Sequence, residues 1–395
     1  MHIHENPKYR FDFMYKRNLI LPDNPERSLF IWGARQTGKS TLLRKTYKDA
    51  LWFNLLRSDV FSSLASNPQL LREQILGSKS KLVVIDEIQK IPPLLDEVHY
   101  LIEEDNIKFI LCGSSARKVR RGHANLLGGR ALRYELSGLS ASEIGEDFDI
   151  IRLINHGYLP SIYNSSSDYL KLLESYVGDY LKEEIAEEGL VRSLPNFSNF
   201  LRVISLSDTE QINYSGIARE CGVSATTVKE YFQILIDTLL GSFVEGYQKR
   251  PKRRSYSSPK FYFFDVGVIS FLAKRGAIQH GSELFGKAFE NWVYHELSTY
   301  SKYNNKFANI SYWRLTSGAE VDFIINDLEV AIEVKGSSLV RDDHLKGLRA
   351  IKDEYKNIKK RIIVSCDGVT RETNDGILIL PYKEFIKLLW GGNIF

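Results

Sequence analysis

The chain has 395 residues, 43% hydrophobic and 26% charged, with a net charge of +4. That length accommodates two or three domains, each able to bury a core. The composition excludes collagen-like, low-complexity and disulfide-stapled classes, and so small a charge does not by itself argue for nucleic acid. Cys112, Cys221 and Cys366 lie far apart without metal-ligand spacing, so neither a disulfide framework nor a zinc site is expected, and a reducing cytoplasm is the expected setting. The first residues lack the apolar core of a signal peptide, and no uncharged apolar run approaches the ~20 residues needed to span a bilayer. A soluble cytoplasmic protein with no membrane partner is therefore expected.

In chain order, Ser28 to Trp32 is an apolar run of the length of a buried parallel strand. Gly33, Ala34, Arg35, Gln36, Thr37, Gly38, Lys39 and Ser40 follow and complete the phosphate-loop pattern G-x-x-x-x-G-K-[ST], and Thr41 continues into a helical pattern. Between a strand and a helix N-terminus, backbone N–H groups and the helix dipole favour a polyphosphate. Gly33 and Gly38 permit the tight backbone, Lys39 can reach the β and γ phosphates, and Ser40 can ligate Mg²⁺. Residues 33–41 are thus the expected ATP-binding segment.

Lys81 to Glu87 reads as an aliphatic strand ending in two carboxylates, which a parallel sheet would bring to the edge that carries the phosphate loop. Asp86 is expected to hold Mg²⁺ and Glu87 to polarise the attacking water. Another strand, Lys108 to Gly113, ends at Ser114, whose hydroxyl could sense the γ phosphate, or only cap a turn. Arg130 precedes a strand from Ala131 to Leu136 and is a candidate arginine finger across a subunit boundary, with Arg117, Arg120 and Arg121 competing for the role. A finger of that kind implies a homo-oligomer.

After Ser140 the pattern becomes helical, with apolar residues at three-to-four spacing from Ser167 to Leu190. Ile217 to Glu220, a turn at Gly222, and an N-capping Ser224 opening a helix to Leu240 form a helix-turn-helix signature. Lys229 lies near the start of the second helix, where base edges are met in a major groove. Beyond it, Lys249, Arg250, Lys252, Arg253 and Arg254 surround Pro251, a basic run placed like a wing and suited to phosphates. Two alternatives stay open for this region, a lid or subunit contact and a solvated charge run.

In the last third, Gly286 to Leu297 reads as an amphipathic helix carrying Glu290. Glu320 to Ile325 and Glu329 to Lys335 alternate as two strands of a hairpin. Period two puts Glu320 with Asp322, and Glu333 with Lys335, on shared faces. In register they would bring three carboxylates and an ammonium together, with Glu290 beside them, a hard-oxygen set for Mg²⁺ or Mn²⁺. Glu290, Asp322 and Glu333 are the candidate ligands, and Asp322, Glu333 and Lys335 the candidate catalytic residues of a metal-dependent nuclease. Charges decorating an outer face are the alternative.

These strings resemble prokaryotic AAA-type ATPases with a C-terminal domain of unknown function. The resemblance rests on the Gly33–Ser40 loop, Asp86 to Pro92, Gly113-Ser114-Ser115, Gly157 to Pro160, Pro259 to Gly267, Tyr312-Trp313-Arg314, Glu320 to Phe323 and Glu333-Val334-Lys335. It implies an α/β chain: a P-loop ATPase core with a parallel sheet (1–139), a helical lid region (140–206), a winged-helix module (207–256) and a C-terminal domain resembling PD-(D/E)xK nucleases (257–395). Asn155-His156-Gly157 departs from the paired glycines usual in the family. The expected function is a Mg²⁺-dependent ATPase coupled to a DNA-directed nuclease-like domain, in DNA processing, repair or defence. The alternatives are an ATP-driven switch that binds DNA or a protein partner without cleavage, and a transcription regulator with the winged helix as output.

Overall fold

The computed structural model describes residues 15–115, 127–181, 191, 193–248 and 258–395. Its first sheet is five-stranded and parallel, ordered β2-β3-β4-β1-β5, from β1 (Ser28–Trp32), β2 (Leu51–Asn54), β3 (Leu82–Asp86), β4 (Lys108–Gly113) and β5 (Ala131–Glu135). Side chains alternate between two apolar layers. Phe30, Val83, Ile85 and Phe109 face the helices Leu70–Ser78 and Leu94–Asp105, while Leu29, Ile31, Val84 and Ile110 pack with Leu43 and Tyr47 of and beside the Lys39–Thr46 helix. Burial on both faces explains the uninterrupted aliphatic runs. The sequence reading did not include β2, a short strand at the sheet edge.

A mixed eight-stranded sheet follows, ordered β12-β13-β11-β10-β9-β8-β6-β7. Its strands are β6 (Gly241–Gly246), β7 (Lys260–Phe263), β8 (Ile310–Arg314), β9 (Glu320–Ile325), β10 (Val330–Lys335), β11 (Lys360–Ser365), β12 (Arg371–Glu372) and β13 (Ile377–Pro381). The expected hairpin is β9–β10, antiparallel with Phe323 opposite Ile332. Strands β6 and β7 form an antiparallel ribbon, and β6 joins the sheet by pairing with β8.

The helix-turn-helix pattern folds as Tyr214–Cys221, a left-handed Gly222 and Ala225–Asp237. Ser224 caps the second helix by accepting from Thr227 N at 3.0 Å. That helix ends three residues before the expected Leu240, where Leu239 adopts a left-handed φ of 61°. The expected helix after Ser167 spans Tyr169–Ser175 and continues as a π-helical stretch over Tyr176–Leu181, and the rest of it lies outside the described residues. The expected helix around Glu290 is longer and less amphipathic than read. It spans Glu283–Tyr303 with residues buried on several sides, because it lies between the ATPase core and the second sheet. One continuous apolar cluster joins Leu139, Tyr158 and Phe200 to Phe232, Trp292, Phe323 and Leu380, so the helical segment after Ser140, the helix-turn-helix and the C-terminal sheet share one core.

Gly347 shows how closely that core is built. A Cβ there would lie 1.9 Å from the carbonyl oxygen of Glu320, pushing the Lys346–Glu354 helix off β9. Gly347→Ala is expected to destabilise the fold by about 1–3 kcal/mol, measured by denaturant unfolding.

Candidate functional site

The phosphate loop turns directly out of β1. Gly33 is required by close approach, since a Cβ would sit 2.3 Å from the Leu136 carbonyl oxygen. Gln36 and Gly38 hold left-handed φ values of 61° and 94°, turning the chain into the helix that begins at Lys39. Lys39 is buried, its ammonium donating to the carbonyls of Gly33 (2.7 Å) and Ala34 (3.0 Å). Thr37 Oγ1 also donates to Ala34 O, at 2.8 Å. Arg35 is half-buried, Thr41 is exposed, and Ser161 donates to Gln36 Oε1 at 3.2 Å.

The two carboxylates stand where the parallel sheet delivers them. Asp86 ends β3, and its Oδ2 accepts from Ser40 Oγ at 2.8 Å, so the hydroxyl and carboxylate expected to share Mg²⁺ are in contact. Asp86 Oδ1 accepts from the Cys112 thiol at 2.9 Å. Burial and then the charge of Asp86 keep that thiol protonated, which makes it a donor. Glu87 steps off the strand with φ 62°, ψ 44°. Gln89 Nε2 donates both to Glu87 Oε2 and, at 3.0 Å, to Ser114 Oγ. Gln89 thus ties the expected base to the expected sensor. Gly113 makes room for it, since a Cβ would fall 2.1 Å from Gln89 Oε1.

Arg17, absent from the sequence reading, holds the loop from behind. Its buried guanidinium donates to Thr37 O (2.5 Å), Ser137 O (2.6 Å), the Glu143 carboxylate (3.0 Å) and Tyr303 Oη (3.1 Å). Glu143 is itself fixed by a capping box with Ser140, and Tyr303 ends the long helix. Arg17 lies in no motif, and no local pattern marks it.

Arg130 stands at the start of β5, alongside the first residue of β1 and therefore at the end of the sheet away from the phosphate loop. It is paired with Glu103. From there it does not face the phosphate loop of its own chain. Arg117, Arg120 and Arg121 lie outside the described residues.

The second constellation lines a cleft of about 930 Å³ that includes Glu290, Glu320, Asp322, Glu333 and Lys335. The sequence reading missed its central member, Lys260 of β7. Its buried ammonium lies 2.6 Å from Glu320 Oε1, 3.1 Å from Glu290 Oε1 and 3.7 Å from Asp322 Oδ1. Its position at the start of β7 gives no sequence signal, because the acids it meets come from other elements. Asp322 Oδ2 accepts from Val334 N at 2.8 Å, and Lys335 is paired with Glu333. Tyr262 Oη donates to Glu290 Oε1 at 2.6 Å. Burial raises the Glu290 and Glu333 carboxyls above their usual range. Burial lowers the Lys260 ammonium, but the charges of Glu290, Asp322 and Glu320 outweigh it and raise its pKa overall.

The expected ligands line one cleft, with a lysine ammonium already among them. Among the described residues no group of three or more His, Cys, Asp or Glu side chains is placed to hold one metal ion. Glu290, Asp322 and Glu333 share the cleft, but an ammonium stands between the first two. Lys335, expected to position a nucleophile, is paired with Glu333.

Lys229 is exposed on its helix, with its ammonium 5.4 Å above the Tyr214 ring. Lys249, Arg250, Lys252, Arg253 and Arg254 lie outside the described residues. Among the described residues no helix is long and apolar enough to cross a membrane.

Substitutions at two positions probe the nucleotide site. Arg17→Ala removes one partner of a buried ion pair and is expected to cost about 3–5 kcal/mol in urea unfolding; Arg17→Lys should recover little, because one ammonium cannot serve all four acceptors. Gly113→Ala displaces Gln89, so nucleotide binding should persist in a fluorescent-nucleotide titration while turnover falls about 10-fold or more.

Comparison with known proteins agrees with the first of these sites. Residues 25–145 match a family described as an AAA domain, and residues 147–279 and 285–385 match two domains of unknown function, DUF8612 and DUF4143. An uncharacterized protein of Mycobacterium tuberculosis is 26% identical over 305 residues, covering 75% of this chain and 67% of that protein. An uncharacterized protein of Haemophilus influenzae is 23% identical over 409 residues, covering 94% and 97%. Among solved structures, a signal transduction ATPase with numerous domains from Pyrococcus horikoshii, bearing a tetratricopeptide repeat sensor, is 18% identical with a TM-score of 0.21. That match covers 72% of this chain and 46% of the other, a little under half its length. The chain carries an AAA-type P-loop ATPase domain over residues 25–145.

Proposed function

We propose that this protein hydrolyses ATP with Mg²⁺ and couples that reaction to a C-terminal nuclease-like cleft directed at DNA. The observation that carries the ATPase reading is the 2.8 Å contact of Ser40 Oγ with Asp86, with Glu87 the next residue. When bound, Mg²⁺ would neutralise charge on the β and γ phosphates, held by Ser40 and Asp86. Lys39 exchanges the Gly33 and Ala34 carbonyls for phosphate oxygens. Glu87 takes the proton of the attacking water, with Gln89 fixing its carboxylate and Ser114 at the far end of that bridge. Arg130 of a second copy supplies the remaining positive charge, which makes the working form a homo-oligomer.

In this reading residues 1–139 are the motor, 140–206 its lid, 207–256 a winged helix, and 257–395 a PD-(D/E)xK-like domain. Lys229 and the Lys249–Arg254 run contact DNA phosphates. Asp322 and Glu333, with Glu290, would hold Mg²⁺ or Mn²⁺, and Lys335 would orient the attacking water. Hard oxygen donors and the buried Glu333 Oε2, which has no hydrogen-bond donor among the described residues, support this assignment. A second reading, an ATP-driven switch that binds DNA or a protein without cutting, is favoured by one observation, the Lys260 ammonium among the carboxylates.

ATP turnover should fall about 100-fold or more in Glu87→Gln, and be lost in Lys39→Ala, in a phosphate-release assay. Turnover retained in both removes the ATPase assignment. Cleavage of linear, circular or branched DNA with Mg²⁺ or Mn²⁺ should disappear in Asp322→Ala and Lys335→Ala. Identical behaviour of these variants and wild type, with duplex bound but uncut, selects the switch.

A further inference from the structure

The Lys260 ammonium occupies the point on which carboxylates from separate elements converge. Glu290 comes from the Glu283–Tyr303 helix, Glu320 and Asp322 from β9, and Lys260 from the β6–β7 ribbon. Contacts of 3.1, 2.6 and 3.7 Å to three carboxylates surround one positive charge. Only 4% of Lys260 is exposed. Its position is not adventitious, because the ribbon is pinned around it. Ile212 N donates to Pro259 O at 2.9 Å, and Tyr312 Oη donates to Ser258 O at 2.6 Å. The Tyr312 ring also lies 5.6 Å from the ammonium.

A second observation shows that the cluster is not saturated. Glu333 is 6% exposed, one of its oxygens is paired with Lys335, and its Oε2 has no hydrogen-bond donor among the described residues. A buried carboxylate oxygen without a donor is costly. It faces the same cleft as Asp322 and Glu290.

We infer that Lys260 is a resident counter-ion of the C-terminal cleft, holding Glu290, Glu320 and Asp322 in place of a divalent cation, so that cation binding and the Lys260 contact exclude each other. This rests on the reading of the cleft as a cation site. An ammonium in contact with Glu290, Glu320 and Asp322 at once competes with a divalent ion for the same oxygens, and the two like charges at the centre of one buried set repel. The absence of a three-acid metal group among the described residues then follows from the lysine filling its centre. Withdrawing the ammonium would leave Glu290, Asp322 and the free Glu333 oxygen as donors of the kind Mg²⁺ and Mn²⁺ prefer.

Mn²⁺ titration of the full chain, followed by electron paramagnetic resonance without nucleotide, tests this. A Ser40→Ala background in every arm weakens the other metal site. Lys260→Met should bind Mn²⁺ at least about 10-fold more tightly than the Lys260-containing chain, and Lys260→Arg, which keeps the charge, should not. Mn²⁺ should also raise the melting temperature of Lys260→Met alone. Should Lys260→Met fail to fold without the ion, refolding in Mn²⁺ replaces the titration; recovery supports the inference and failure to recover overturns it. Equal, tight binding in all three chains overturns the role of Lys260 and leaves the cation site standing. No binding in any of them overturns the cation site and the inference together.

Discussion

A single buried guanidinium sets the geometry on which the ATPase half depends. Arg17 spends its donors on the phosphate loop, the segment after β5, the Glu143 carboxylate and the hydroxyl of Tyr303. A guanidinium in that position must satisfy all its partners or leave charge uncompensated, so those four parts of the chain hold one another in place. Glu296 extends the seam, accepting from Ala141 N at 2.7 Å and from Trp390 Nε1 at 2.9 Å. The result is a phosphate loop backed by an arginine 20 positions from Thr37, itself held by partners 120, 126 and 286 positions away.

The two chemical sites differ in how far they are preassembled. At the first, Ser40 and Cys112 both donate to Asp86, and Gln89 bridges Glu87 and Ser114, so two short hydrogen-bonded sets meet at the adjacent residues Asp86 and Glu87. The Cys112 thiol is a modest member of the first set. Kept protonated by burial, it donates to Asp86 much as a hydroxyl would. At the second site the acids are gathered but neutralised from within, by lysines supplied by β7 and β10.

Much of this was legible from local pattern. The strand before the phosphate loop, the aliphatic run into Asp86, the Ser224 cap and the alternation of β9 and β10 each depend on residues close in sequence, and periodicity reports such features well. Arg17, Gln89, Cys112 and Lys260 were not legible as functional residues. Arg17 meets Tyr303 across 286 positions, and Lys260 meets Asp322 across three intervening elements. Nothing about an isolated lysine at the start of a strand says that three carboxylates await it. The hairpin illustrates the same limit. Its alternation placed the acids on shared faces, but the cation between them came from a strand whose own pattern is purely aromatic and apolar, Phe261, Tyr262 and Phe263.

The Glu283–Tyr303 helix joins these two parts of the molecule as a rigid rod. Tyr303 touches Arg17 behind the phosphate loop, and Glu290, thirteen residues earlier, lies about 20 Å up the axis at 1.5 Å per residue. A tilt of about 5° pivoting at the tyrosine would carry the glutamate roughly 2 Å, a displacement comparable to its 3.1 Å contact with Lys260. One helix therefore carries both a partner of the arginine behind the phosphate loop and an acid of the C-terminal cleft, so the spacing of the two sites is fixed along a single axis.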